Sequence, residues 1–73
     1  MVDTSMKNLT KSFGSRVREI RSSANITQEE LATLANIDRG YMGHIERGTK
    51  SPTLDKVEQI SNALNMEVPN IFK

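Results

Sequence analysis

Cysteine is absent from this 73-residue sequence, which excludes disulfide scaffolds, metal sites with thiolate ligands and thiol catalysis. Long apolar runs are absent too, since 36% hydrophobic and 26% charged residues form too polar a mixture for a membrane span. The N-terminal stretch also lacks the apolar segment of a signal peptide. We therefore expect one cytoplasmic globular domain with no membrane partner.

The sequence also lacks a large excess of positive or negative charge, because it has ten basic and nine acidic residues and a net charge of +1. A total this small does not indicate a nucleic-acid partner. The charges are unevenly spread, however: residues 7–21 hold five basic side chains and one acidic one, whereas residues 55–67 sum to −2. The basic segment is either a solvated helix face or a surface for an anionic partner. Its basic residues are Lys7, Lys11, Arg16, Arg18 and Arg21.

A helical periodicity runs through the first third of the chain. Apolar residues recur there at spacings of three or four, and the pattern predicts a helix over residues 9–23. Residues 1–8 are predicted to form a short flexible arm. Asn25 tolerates the left-handed conformation that ends many helices, so we expect the helix to stop there. The periodic residues are Leu9, Phe13, Val17, Ile20 and Ala24.

Two short helices joined by a tight turn are predicted next. Thr27 and Glu30 have the spacing of a capping box, so a second helix begins after Thr27 and ends at residues 35–36. Asp38 is a good N-cap for a third helix, and Gly48 is a plausible stop for it. The expected buried residues of the pair are Leu31, Ala32, Ala35, Met42 and Ile45.

A fourth helix and a final turn complete the predicted fold. Thr53 caps the fourth helix, which should run to about Asn65, and Pro69 begins a single turn at its first helical position. No strand pattern or internal repeat is present, so we predict an all-α, compact five-helix bundle with a helix-turn-helix, forming one domain over residues 9–73. The apolar face of the fourth helix comprises Leu54, Val57, Ile60 and Leu64.

The third helix, residues 39–47, has an outward face rich in glycine. At about 100° per residue, Met42 and Ile45 lie on one side and five other residues on the opposite side. Glycine inside a helix costs about 1 kcal/mol relative to alanine. If this face enters the major groove of DNA, the missing side chains let the backbone approach base edges; otherwise an exposed face merely tolerates glycine. The outward residues are Arg39, Gly40, Gly43, His44 and Arg47.

Arg39, Tyr41 and His44 are the candidate base-reading side chains. Arg39 can donate two hydrogen bonds to guanine O6 and N7, or else contact a phosphate. Tyr41 can meet a phosphate or a thymine methyl, or pack on the second helix. His44 can donate to or accept from a base edge, and as a lone histidine in a chain without cysteine it is a poor metal ligand.

Several segments together carry a longer motif: Thr27-Gln28-Glu29-Glu30-Leu31-Ala32, then Ala35 and Ile37, then Ile45-Glu46-Arg47-Gly48 and Ser51-Pro52-Thr53-Leu54. Residues 13–72 thereby resemble the Xre family, the phage Cro and repressor type of helix-turn-helix. The resemblance implies a lambda-repressor-like domain that binds double-stranded DNA sequence-specifically. This chain has Asn25 where the family usually has glycine, and Gly40 where it commonly has a polar base-reading side chain.

The family pattern also implies roles for residues outside the third helix. Gln28, at the start of the second helix, is expected to bind a backbone phosphate. Arg21 is expected to pair with Glu46 and so be oriented beside the DNA backbone; an exposed ion pair of little energetic worth is the alternative. The complete expected DNA-binding set is Gln28, Arg39, Gly40, Tyr41, Gly43, His44, Arg47 and Lys50.

Asp38-Arg39-Gly40-Tyr41 is similar to the controller proteins of restriction-modification systems. That similarity implies a homodimer that binds paired palindromic half-sites, activating its own operon at low occupancy and repressing it when a second dimer binds. The candidate dimer interface is the apolar C-terminal run, of which about two residues are expected to face the partner rather than the core. This run comprises Met66, Val68, Ile71 and Phe72.

The alternative is an antitoxin or prophage-type repressor whose apolar C-terminal surface binds a partner protein. An enzyme is not expected, because Glu29, Glu30 and His44 do not form a convincing catalytic site and so short a helical chain leaves little room for a pocket. We accordingly expect no cofactor, no metal ion and no small-molecule ligand.

Overall fold

The computed structural model describes the backbone of residues 6–72 and the side chains of residues 9–72. Over this part of the chain the predicted all-α fold with five helices is confirmed. None of these helices is long and apolar enough to cross a membrane. The helices are α1 (Met6–Ser23), α2 (Gln28–Ala35), α3 (Arg39–Arg47), α4 (Leu54–Ala63) and α5 (Val68–Ile71).

The start of α1 differs from the prediction. The helix begins at Met6, so residues 6–8, expected to belong to a flexible arm, are helical. Residues 1–5 of that arm, and Lys73 at the other end, lie outside the described residues. The apolar periodicity begins only at Leu9, which is why it places the helix start three residues too late.

Side-chain caps begin the three middle helices where the sequence predicts. The Thr27 hydroxyl accepts from the Glu30 N–H at 3.1 Å, and the Glu30 carboxylate accepts from the Thr27 N–H at 2.8 Å, which completes the capping box. Asp38 accepts from the Tyr41 N–H at 3.2 Å, and Thr53 caps α4 in the same way. These bonds satisfy N–H groups that have no partner within the helix.

Left-handed asparagines separate several of the helices. Asn25, Asn36 and Asn65 have φ values of 60°, 58° and 57°, a conformation that asparagine adopts more readily than most residues. Asn36 begins the three-residue turn, residues 36–38, between α2 and α3. Because Leu64 is the C-cap of α4 and Asn65 follows it, α4 ends at Ala63, two residues before the predicted end.

The core lies where the five helices meet, and its extent differs from the helical periodicity at Ala24 and at two leucines. Ala24, predicted on the apolar face of α1, is exposed in the turn that follows the helix. Leu54 is 86% exposed and Leu9 is 51% exposed, although both were predicted on apolar faces. Each precedes by about one turn the first buried residue of its helix, so the periodic pattern continues beyond the packed surface. The largest fully buried side chains are Val17, Leu31, Met42, Ile45, Ile60 and Ile71.

Gly14 is a point where α1 lies directly against the backbone of α3. A Cβ atom at this position would collide with the Ile45 carbonyl oxygen and would lie 2.8 Å from the Glu46 carbonyl oxygen. Only glycine permits this approach, because backbone atoms cannot move aside as the end of a side chain can. Gly14 therefore sets the distance between α1 and α3, a role that the sequence pattern does not indicate.

Candidate nucleic-acid interface

α3 places Met42 and Ile45 in the core and turns its opposite face to solvent. On that face Arg39, Gly40 and Arg47 are exposed, and His44 is partly exposed. This orientation agrees with the one predicted from helical periodicity. The packed apolar face fixes the orientation of α3 and leaves its polar face accessible from solvent.

Gly43 differs from the expectation, because it is buried although it lies on the outward side of α3. A Cβ atom there would lie 3.0 Å from the Arg47 guanidinium and 3.4 Å from the Gln28 side-chain oxygen. These two side chains cover Gly43, so its backbone is not open to base edges as predicted. Its missing side chain instead makes room for Gln28 and Arg47 above the helix.

Arg21, Glu46 and Gln28 form a hydrogen-bonded cluster that joins α1, α2 and α3. The Arg21 guanidinium donates to both carboxylate oxygens of Glu46, at 2.8 and 3.0 Å, and to the Ile26 carbonyl oxygen at 2.9 Å. The Gln28 side-chain amide donates to Glu46 Oε1 at 3.1 Å. The Arg21–Glu46 contact expected from the family resemblance is therefore present, and Gln28 joins it.

Burial distinguishes this pair from an ordinary surface ion pair. The Arg21 side chain is 13% exposed and that of Glu46 is 2% exposed, so the solvent-exposed alternative is wrong. A bidentate guanidinium–carboxylate pair is strong and directional when water is excluded. Because the Gln28 amide nitrogen carries two hydrogens and gives one to Glu46, the cluster orients the other away from Glu46.

Arg39, Tyr41 and Lys50 have different surroundings. The Arg39 guanidinium lies 3.9 Å from the Glu29 carboxylate, with both side chains about 70% exposed, so this contact is weak and exchangeable. Tyr41 is partly buried against the core, which agrees with the packing alternative. Lys50 is exposed in the loop after α3.

The basic segment of α1 divides between two faces of the helix. One side of α1, the side turned towards α3, carries three basic residues whose spacings of seven and three residues bring them onto the same face. These are Lys11, Arg18 and Arg21. Lys11 packs against the turn that ends α3. Arg16 lies on another face and pairs with the exposed Glu19 at 2.9 Å. Only part of the positive charge therefore flanks the outward face of α3.

The predicted dimer run contains one residue that cannot serve as an interface. Ile71 is fully buried in the core, because the short α5 turns its side chain under α1 and α4, so its assignment to the interface is wrong. Met66 and Val68 are partly buried and pack on the same core. Phe72 is 46% exposed, with its ring centroid 5.2 Å from that of Phe13.

Two further exposed leucines lie near Phe72. Leu9, Leu54 and Phe72 border one shallow groove, lined between them by Phe13 and Val57. We call Leu9, Leu54 and Phe72 the apolar face. The sequence pattern does not predict it, because helical periodicity places Leu9 and Leu54 on the apolar faces of two separate helices. Their distance along the chain gives no sign that they lie close together.

The chain is a helix-turn-helix protein, because a three-residue turn that begins with left-handed Asn36 joins α2 to α3. The polar face of α3 points outward, and Gln28 stands at the start of α2. Residues 17–69 match the helix-turn-helix family model HTH_3, and the chain belongs to this family of DNA-binding regulators. The predicted membership of the Xre type is thus confirmed. Within such a motif, α3 is the recognition helix.

Several similar proteins are controllers of restriction-modification systems. The chain is 44% identical over 66 residues to the control protein C.BamHI of Bacillus amyloliquefaciens, covering 89% of this chain and 82% of that one. The crystal structure of the restriction-modification controller protein C.AhdI from Aeromonas hydrophila superposes with a TM-score of 0.86 at 35% identity, over 89% of this chain and 98% of that one. The structure of the controller C.Esp1396I bound to a 25 base pair operator site superposes with a TM-score of 0.80 at 31% identity. The match covers 88% of this chain and 84% of that one.

Proposed function

We propose that this chain is a sequence-specific, double-stranded DNA-binding transcriptional regulator that acts in the cytoplasm and controls its own operon, as a restriction-modification controller does. The observation that carries this proposal is the outward face of the recognition helix, where Arg39, His44 and Arg47 surround the small surface of Gly40. Arginine and histidine side chains on such a helix can reach base edges in the major groove. The family and the controller relatives support the same function.

The phosphate contacts proposed beside the groove come from α1 and α2. Gln28 stands at the N-terminus of α2, where backbone N–H groups and the helix dipole favour an anion. Its free amide hydrogen adds a donor whose direction is set by Glu46. Lys11 and Arg18 lie on the side of α1 turned towards the recognition helix, and Lys50 lies in the loop after it. These contacts position the protein without reading sequence.

A homodimer on a palindromic site is the second part of the proposal. The operator of C.Esp1396I has 25 base pairs, which corresponds to about 85 Å of duplex at 3.4 Å per base pair. The longest dimension of the described residues is 38 Å, so one copy does not span an operator of similar length. Two copies related by a two-fold axis place their recognition helices in successive major grooves.

We place the dimer contact on the apolar face. Leu9, Leu54 and Phe72 are the exposed large apolar residues around one groove, and a contiguous apolar patch of this kind is typical of an interface. Of these residues, Phe72 is part of the C-terminal run predicted as the interface. Leu9 and Leu54 are new to the proposed interface, and the buried Ile71 is left out of it. Were the occupant of the apolar face another protein, as in the antitoxin alternative, the purified chain would not dimerise through this face.

Titration of the purified protein with the DNA upstream of its own gene tests the proposed function. We expect tight binding to one region, much weaker binding to a shuffled duplex of equal composition, and a log-log salt slope of about −0.9 for each phosphate contacted. Footprinting on the same fragment should reveal two symmetric half-sites. Equal affinity for the native and shuffled duplexes at every salt concentration would refute the proposal.

A further inference from the structure

His44 and Thr49 form a hydrogen-bonded pair at the end of the recognition helix. His44 Nδ1 lies 2.8 Å from the Thr49 hydroxyl oxygen, and that hydroxyl lies 3.2 Å from the His44 carbonyl oxygen. The contacts are possible because Gly48, with a φ of 74°, turns the chain back after α3 and brings residue 49 beside residue 44. His44 is the one histidine of the sequence.

The number of hydrogens decides which way these bonds run. A hydroxyl has one hydrogen to donate, and a neutral imidazole has one protonated and one bare nitrogen. If Nδ1 carries the proton, it donates to the Thr49 oxygen while the hydroxyl donates to the His44 carbonyl, and both contacts are satisfied. If Nδ1 is bare, the hydroxyl must donate to it and the bond to the carbonyl is lost. The first arrangement keeps one more hydrogen bond.

We propose that Thr49 holds neutral His44 in the Nδ1–H tautomer, so that Nε2 is a hydrogen-bond acceptor that reads an exocyclic amino group in the major groove. His44 lies on the outward side of α3 with Gly40 and Arg47, and no hydrogen bond within the described part of the chain engages its Nε2. This inference rests on the proposed DNA-binding function.

The chemistry of the base edges gives the specificity. Adenine N6 and cytosine N4 present amino hydrogens in the major groove, whereas guanine O6 and N7 and thymine O4 are acceptors. An unprotonated Nε2 can accept a hydrogen bond from the amino group of adenine or cytosine. Opposite guanine or thymine, its lone pair faces the lone pair of another acceptor. Arg39, which can only donate, has the opposite preference. Thr49 is thus a positioning residue that acts through His44, and His44 is the residue that contacts the base.

Nitrogen NMR of the free protein tests the tautomer without DNA. Because the sequence has a single histidine, its two ring ¹⁵N signals need no separate assignment among histidines. At a pH where the imidazole is neutral, we expect the shift of a protonated Nδ1 and a bare Nε2 in the native protein and in Thr49→Ser, which keeps the hydroxyl. Thr49→Val, of similar shape but without the hydroxyl, should lose this preference. A protonated Nε2 in the native protein, or an unchanged tautomer in Thr49→Val, overturns the assignment.

Base analogues in the footprinted operator test the readout. Each adenine is replaced in turn by purine, and each cytosine by pyrimidin-2-one, which removes only the amino group. We expect one position at which this lowers the affinity of the native protein about 2- to 12-fold, the value of a single neutral hydrogen bond, and leaves that of His44→Ala nearly unchanged. If every analogue affects both proteins equally, His44 reads no amino group. Failure of the DNA-binding proposal itself would look different, because the native protein would then not discriminate the operator from shuffled DNA, whatever the NMR tautomer.

Discussion

At the scale of single residues, the carboxylate of Glu46 connects folding with the surface proposed to bind DNA. It accepts hydrogen bonds from Arg21 of α1 and Gln28 of α2 while it is itself part of α3. A buried charge of this kind is tolerated because its partner is also charged and because its oxygens are hydrogen-bonded. The same bonds hold the Gln28 amide at the start of α2.

Removing Glu46 should therefore cost much more stability than removing an exposed glutamate. Glu46→Ala leaves the Arg21 guanidinium without its partner, and we expect the free energy of unfolding to fall by about 3–5 kcal/mol. Glu19→Ala, which breaks the exposed pair with Arg16, is the matched control and should cost about 0–1 kcal/mol. Urea denaturation followed by circular dichroism measures both, and similar losses in the two variants would contradict the structural role of Glu46.

Arg39 is the residue for which base reading and phosphate contact are most easily separated. Its exposed side chain has only the weak contact with Glu29 to break, so Arg39→Ala should leave the fold intact. If Arg39 reads a guanine, the substitution costs about 1–3 kcal/mol on the native operator and relaxes the preference at one base pair. Binding to a library of single-base operator variants measures this. A uniform loss on all sequences, with a salt slope reduced by about one, would instead assign Arg39 to a phosphate.

At the scale of helices, two glycines have opposite consequences for packing. Gly14 lies against the backbone of α3, whereas a Cβ atom at Gly40 would meet only the end of the Asp38 side chain, at 3.1 Å. Glycine lowers helix stability at both places by the same intrinsic amount. Only at Gly14 does the contact between helices depend on the missing side chain.

Alanine substitution should separate these two cases. We expect Gly14→Ala to destabilise the protein by about 1–3 kcal/mol, because α1 must move away from α3. Gly40→Ala should change the stability by less than about 1 kcal/mol in either direction, because alanine favours the helix but the Asp38 oxygen that caps α3 through the Tyr41 N–H must shift slightly. Thermal unfolding of the two variants gives the comparison. Equal stability of both would mean that α1 and α3 do not approach closely at Gly14.

The capping box of α2 should make the stability of that helix depend on pH. The Thr27 N–H, and after it the Thr27 side chain, stabilise the Glu30 carboxylate and lower the pKa of Glu30 below its ordinary value. A folded-state pKa below the unfolded value contributes stability that is fully present above the unfolded pKa and is lost as the pH falls through the folded pKa. The capping contribution should therefore be constant near neutrality and disappear in acid.

Glu30→Gln tests this pH dependence. The difference in free energy of unfolding between the native protein and this variant should favour the native protein at pH 7 and shrink as the pH falls below the ordinary glutamate pKa. Denaturation curves at a series of pH values measure the difference, and Glu58→Gln, at an exposed position of α4, controls for the change in net charge. A difference that grows on acidification would show that the capping bond is not made to the ionised carboxylate.

At the scale of the whole molecule, the small core and the apolar face point to assembly. A domain of this length buries a modest fraction of its surface and gains stability from association. The apolar face lies across the groove between α1, α4 and the residue after α5, and no residue of α3 lines that groove. The proposed dimer contact there would not cover the recognition helices.

Charge placed on the apolar face should separate the dimer without unfolding the chain. Leu54→Glu alters a side chain that is already 86% exposed, so the helical circular dichroism should persist while the dissociation constant of the dimer rises about tenfold or more. Leu34→Glu, at an exposed leucine of α2 outside this groove, is the control and should leave the dimer unchanged. Sedimentation equilibrium gives both constants. A monomeric native protein, or equal effects of the two variants, would reject this interface.

Much of the fold and part of the site could be predicted from the sequence, because they depend on neighbours three or four residues apart. The Thr27–Glu30 capping box and the cap at Asp38 are contacts within one turn. The outward position of Arg39 and Arg47 follows from the regular rotation of a helix relative to Met42 and Ile45. The family resemblance added the pairing of Arg21 with Glu46, which no local pattern indicates.

Only the tertiary structure decided how far those faces are covered and what meets across helices. Leu54 has the right periodicity for the core, but it lies beyond the part of α4 that packs against the other helices. Ile71, predicted at an interface, is instead buried in the core. Gly43 faces outward by rotation, yet Gln28 of another helix covers it. Periodicity gives a direction around one helix axis, whereas burial and hydrogen bonding depend on distances between axes. The sequence by itself thus determined a helix-turn-helix with an outward Arg39–Arg47 helix, and packing decided which atoms of that helix are free to contact DNA.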